Sequence, residues 1–121
     1  MTNGAHNPAE DQITAVRSAL RIAKRQLLAA KVQLDDDDFF DSLSQDQKAE
    51  AIDKSLRLTT RILQIENAQI ALIVSQVEDN LEALKQATQD LEDALQSVEN
   101  VTRLFRSIGA LLGIVLRIVA I

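Results

Sequence analysis

Residues 74–91, VSQVEDNLEALKQATQDL, decide the fold. Val74, Val77, Leu81, Leu84, Thr88 and Leu91 recur at alternating spacings of three and four, the phase of a heptad seam on an α-helix. If the helix runs straight through Asp79 and Asn80, the chain is an elongated hairpin that needs other cover. If it folds back near Asn80, the same residues build a three-helix bundle. No Gly or Pro lies in the stretch and the phase is unbroken, which favours the straight helix covered by a second chain.

Working outward, the same seam reaches back through Ile70, Asn67, Leu63, Thr60 and Leu56, and forward through Leu95, Val98, Thr102, Phe105, Gly109, Leu112 and Leu116 to Val119. Ser44 followed three residues later by Gln47 is a capping box and opens this helix. Between Ala9 and Ile108 there is neither Gly nor Pro, so the default conformation is helix throughout. Asn7, Pro8 and Glu10 form an N-terminal signal for an earlier helix, with residues 1–7 a polar tail before it. Its seam is Ile13, Val16, Leu20, Ala23, Leu27, Ala30 and Leu34. The expected fold is all-α: a helical hairpin of residues 8–34 and 44–121, or the three-helix bundle. A straight second helix would be about 117 Å long against roughly 40 Å for the first, so much of it would lack intrachain cover.

The surface opposite the seam changes along the second helix. Leu58, Ile62, Ile65 and Leu72 give it a second apolar stripe, so this stretch is expected to be sandwiched between the first helix and something else. Ala83, Gln86, Asp90, Asp93, Ser97 and Asn100 make the next stretch one-sided and solvated. Beyond Thr102, Leu104, Phe105, Ile108, Leu111, Leu112, Ile114, Val115, Leu116, Ile118 and Val119 spread apolar side chains over nearly every face. Residues 1–7, 8–100 and 101–121 thus read as tail, helical domain and apolar segment. The last could span about 30 Å of hydrocarbon by length, but Arg103, Arg106 and Arg117 leave only a short charge-free core. Gly109 and Gly113 form a GxxxG spacing that allows close backbone approach in an apolar helix.

The chain carries 13 Lys and Arg against 18 Asp and Glu, a formal charge of −5, which argues against a general nucleic-acid binder. The first helix is basic, whereas residues 35–53 hold eight acids against Lys48 alone. Pairing Leu34 with Ser44 in the hairpin puts Lys31 near Gln47 and Glu50, and Lys24 near Asp53. It also gathers Arg17, Arg21, Arg57 and Arg61 into a cluster that lacks an internal acid. A second copy or anionic lipid headgroups could supply the counter-charge. Asn67, a polar residue on the seam, is the candidate for fixing register and partner number.

Absence of Cys removes disulfides and thiolate chemistry. His6 sits in the polar tail without a scaffold, and Asp35–Asp38 lack the glycine and closing glutamate of an EF-hand loop. Phe39 and Phe40 read as a plug for the hairpin end or as a docking pair. With no phosphate-cradling, GxSxG or HExxH motif, no enzyme, cofactor, metal or small-molecule substrate is expected. The N-terminus has no export signal, so the expected location is the cytoplasm, with membrane association as an addition.

Two functions follow. The first is a non-enzymatic, self-assembling helical protein whose apolar C-terminal segment joins a membrane. In layout, with no shared motif, a long coiled coil with an apolar end is similar to α-helical pore-forming and membrane-remodelling proteins. The second is an oligomeric helical-bundle interaction or adaptor module with its C-terminal helix buried between chains.

Overall fold

The computed structural model describes residues 8–119; the expected polar tail with His6, and the chain beyond Val119, lie outside the described residues. The described chain is all-α. Helix α1 spans Pro8–Leu34, α2 Asp37–Asp41, α3 Gln45–Asn67, α4 Ile70–Asp79, α5 Leu81–Leu95 and α6 Val101–Val119.

Sequence chemistry explains the first turns. Asp35 and Asp36 end α1, and the Asp36 carboxylate then accepts from the Phe39 backbone N–H at 2.9 Å, capping α2. Phe39 is buried, and Phe40 is half-buried with the Lys48 ammonium 5.7 Å from its ring centre. The pair thus closes the end of the hairpin. Ser44 and Gln47 make the reciprocal capping box that starts α3, at 3.2 and 3.0 Å.

Helices α3 and α4 together run antiparallel to α1. Lys31 Nζ donates to Ser55 Oγ at 3.3 Å, Lys24 pairs with Glu66 at 3.2 Å, and Gln12 donates to Glu78 at 3.2 Å, fixing the register along the whole length of α1. At Asn80 the chain reverses. Helix α5 returns beside α1, with Ala15 to Ile22 and Leu84 to Glu92 sharing one groove. The chain reverses again over residues 96–100, and α6 descends beside α3: Val101 lies near Gln47, Gly109 near Lys54, and Val119 near Leu63 and Ile73. The result is a four-armed bundle, with α1, α3–α4, α6 and α5 in that order around one core. Leu20, Leu27, Leu58, Ile73, Leu84, Leu91, Leu104, Ile108, Leu111 and Ile118 are among its fully buried large side chains.

The expected straight helix over 44–121 is therefore interrupted three times, and the fold-back near Asn80 is one of the breaks. Ala68 is extended at φ −70° and ψ 136°, offsetting α4 from α3. Asn80, at φ −114° and ψ 10°, donates its side-chain amide to the Gln76 carbonyl at 2.7 Å, closing the end of α4. Asn100 accepts from the Arg103 N–H at 3.1 Å, serving as the side-chain cap of α6. This last reversal turns the three-helix alternative into four arms. Persistence of heptad phase does not require one continuous helix, because each arm is separately amphipathic.

Candidate interaction surface

Helix α6 is a wall of this bundle. Leu104, Phe105, Ile108, Leu111, Leu112, Ile114, Val115 and Ile118 are all buried within the single chain. The inference that a lone chain leaves this segment uncovered is thus corrected. A solvated stripe, Thr102, Arg106, Ala110, Gly113 and Arg117, recurs at helical spacing and faces outward, while Leu116 is only marginally exposed at 38%. Among the described residues no helix is long and apolar enough to cross a membrane.

The GxxxG pair does not bring two backbones together. A Cβ on Gly109 would meet Lys54 Nζ at 3.8 Å, an ordinary contact, and one on Gly113 would meet nothing within 4 Å. Both glycines line a groove of about 350 Å³ with Asp53, Lys54, Arg57, Arg61, Leu112 and Leu116.

On α3 the two stripes exchange roles. Leu58, Ile62 and Ile65, expected to face a further partner, are buried in the bundle. The seam positions Leu56, Thr60, Leu63 and Asn67 are exposed, and so is Leu72 on α4. The physical reason is register. The α2 turn lengthens the connection, so Lys31 meets Ser55 and the neighbouring Asp35 instead of Gln47 and Glu50, and Lys24 meets Glu66 instead of Asp53. Helix α3 is rolled so that its shorter stripe of Ala51, Leu58, Ile62 and Ile65 faces inward.

The same change disperses the expected arginine cluster. Arg57 pairs with Asp53 at 3.0 Å, and Arg61 donates to Gln64 at 3.2 Å in the groove toward α6. Arg21, together with Arg25, is exposed on α1, and the register sets it opposite the end of α3 near Asn67.

What remains most open is one face, formed by the outward sides of α1 and α3; Ile22, 46% exposed, lies apart from it in the groove between α1 and α5. Val32 is 71% exposed, Leu56 66%, Ile52 54%, Leu63 52% and Leu28 42%. Helical phase puts Leu28 and Val32 on the flank of α1 turned toward α3, the side that also carries Lys24 and Lys31. It puts Ile52, Leu56 and Leu63 on the flank of α3 turned toward α1. The register brings Val32 level with Leu56. At one end of the face a groove of about 450 Å³ is lined by Ile52, Leu56 and Phe40 and rimmed by Asp35 and Asp37. Past Leu63, the groove of about 470 Å³ lined by Thr60, Leu63, Asn67, Leu72 and Val119 opens between the α3–α4 junction and α6. Part of the signal for this face was present in the sequence as the double stripe on 56–72, which included neither Ile52 nor the α1 residues Leu28 and Val32; which stripe turns inward was set by the α2 turn.

Asp35 is held at that rim. Lys31 Nζ donates to its carboxylate at 2.8 Å and Ser55 Oγ at 2.9 Å. The Lys31 hydrogen bond above all, with the Ser55 bond and the Lys31 charge beside it, holds the carboxyl below its ordinary value against a smaller opposing effect of burial.

Comparison with family models, with curated proteins and with solved structures gives no match to this chain.

Proposed function

We propose that this chain is a non-catalytic association module: a four-armed helical bundle that uses the outward α1/α3 face to hold another protein surface. The observation that carries it is the exposure of five large aliphatic side chains, Leu28, Val32, Ile52, Leu56 and Leu63, on one face of a chain whose core is complete without them. Scattered apolar side chains on a surface are ordinary; a contiguous stripe rimmed by charge marks a binding surface. Within the stripe the charges of Lys24 and Lys31 are held in contacts between the two helices, while exposed Arg21 and Arg25 lie at one end and exposed Asp37 at the other, as in an interface with an apolar centre and a polar rim.

The membrane reading placed the working surface on α6. Insertion of α6 would have to withdraw Leu104, Ile108, Leu111 and Ile118 from the bundle core, each fully buried. The α1/α3 face is available without that cost, which supports the interaction module over the membrane-inserting protein.

A photo-crosslinking residue placed at Leu63, and separately at the exposed Gln86 on α5, tests the proposal in the cells that make the protein. A discrete protein adduct from position 63 and none from 86 is the expected result. Failure to form an adduct at 63, or the same adducts from both positions, would overturn it.

A further inference from the structure

Resting on the association reading, we infer that the occupant of the α1/α3 face is a second copy of this chain, docked antiparallel about a two-fold axis. The face is self-complementary in charge. Arg21 and Arg25 are exposed at one end, and no ion pair among the described residues reaches either. Asp37 and Asp38 are exposed at the other end, where Asp37 shares a groove with Leu34, itself roughly 20 Å from Arg21 along α1 at about 1.5 Å per residue.

A two-fold that exchanges these ends passes between them, through the apolar stripe. On α1 that level is the one of Leu28 and Val32, and the Lys31–Ser55 and Lys24–Glu66 contacts put it opposite residues 56–60 of α3, inside the stripe of Ile52, Leu56 and Leu63. The antiparallel copy therefore lays stripe on stripe and sets the arginines of each chain over the α2 carboxylates of the other, as a two-fold interface requires of one patch facing itself.

The patch is modest. Two helices about 20 Å wide over about 22 Å of length give roughly 450 Å² on each copy, or about 900 Å² in all, placing the dimer in the weak, reversible class. Charge pairing at the two ends then sets partner choice and salt dependence.

Sedimentation of the full chain over a wide concentration range, at low and high salt, tests the inference with two charge-reversed variants. R21E/R25E and D37K/D38K each place like charges at both ends of their own two-fold, so each is expected to lose at least about tenfold in dimer affinity. Mixed together they restore opposite charges at both ends, so an equimolar mixture is expected to form a one-to-one heterodimer. Circular dichroism confirms that both variants remain helical. Leu56→Glu, within the apolar stripe, provides an independent variant that abolishes the dimer without altering the charged ends. A wild-type chain monomeric at every concentration overturns the inference, as does a mixture that stays monomeric beside a dimeric wild type. An adduct from position 63 of a mass other than twice the chain would remove the second copy while leaving the association reading in place; no adduct at all would remove both.

Discussion

Helix α6 and the outward face of α3 both carry aliphatic side chains that call for cover, and they meet opposite fates. Helix α6 looks in sequence as though it needs an external partner, yet its own chain covers it; its water-facing stripe is Thr102, Arg103, Arg106, Ala110, Gly113 and Arg117, with Leu116 at the margin. Helix α3 has two stripes, and the bundle has room for one. The lesson is that the width of an apolar surface says less about its exposure than the number of neighbours the topology supplies. Two reversals, at Asn80 and over 96–100, supply α6 with α3, α4 and α5 as neighbours. Helix α3 receives α1 and α6 on its inner side and nothing among the described residues outside.

That contrast can be broken by substitution. Leu104→Ala or Ile108→Ala on the closed side should cost about 2–5 kcal/mol, the usual range for truncating a fully buried aliphatic side chain, measured by urea unfolding. A cost below about 1 kcal/mol would mean that α6 is not core. Gly113→Ala should stabilise by up to about 1 kcal/mol, because its Cβ would enter open space and alanine is the better helix former. If it destabilises, the glycine is serving a close contact after all, and calorimetry on the single variant would show it.

On the open side, Leu56→Ala and Leu63→Ala should change the stability of the dilute protein by no more than about 0.5 kcal/mol, the range for surface sites. The same urea titration checks this, and a loss of 2 kcal/mol or more would put the stripe in the core. Smallest is the effect at the rim. Since the Asp35 carboxyl is held below its ordinary value of 3.8, its contribution is complete above that pH and is lost as the pH falls through the lower, folded value. Asp35→Asn should therefore be less stable than wild type at neutral pH, with the difference closing in acid; unfolding curves at several pH values follow it. A gap that widens in acid would reverse the assigned sign.

Local chemistry was well written in the sequence. Asn7, Pro8 and Glu10 predicted the start of α1, its seam ended at Leu34 as observed, and Ser44 with Gln47 placed the start of α3. The reversals were less legible because none uses Gly or Pro. Ala68 simply turns extended, and Asn80 and Asn100 act through single side-chain hydrogen bonds. Asn100 before Val101 was a readable cap, masked by the heptad phase that continues across it. The candidate surface was half legible: the double stripe on 56–72 was visible, but its inward side depended on how far the α2 turn shifts α3 along α1, and Leu28, Val32 and Ile52 stood in neither stripe. Asn67, expected on the seam as the residue that fixes register, lies instead exposed at the end of α3.

The central claim, that α6 is enclosed by its own chain and the α1/α3 face is the surface left over, is tested most directly by native-state hydrogen exchange in dilute protein. Amides from Leu104 to Ile118 should be among the slowest to exchange, with protection equal to global unfolding and independent of protein concentration. Exchange of α6 ahead of α1 and α5, or protection that rises as the protein is concentrated, would contradict it.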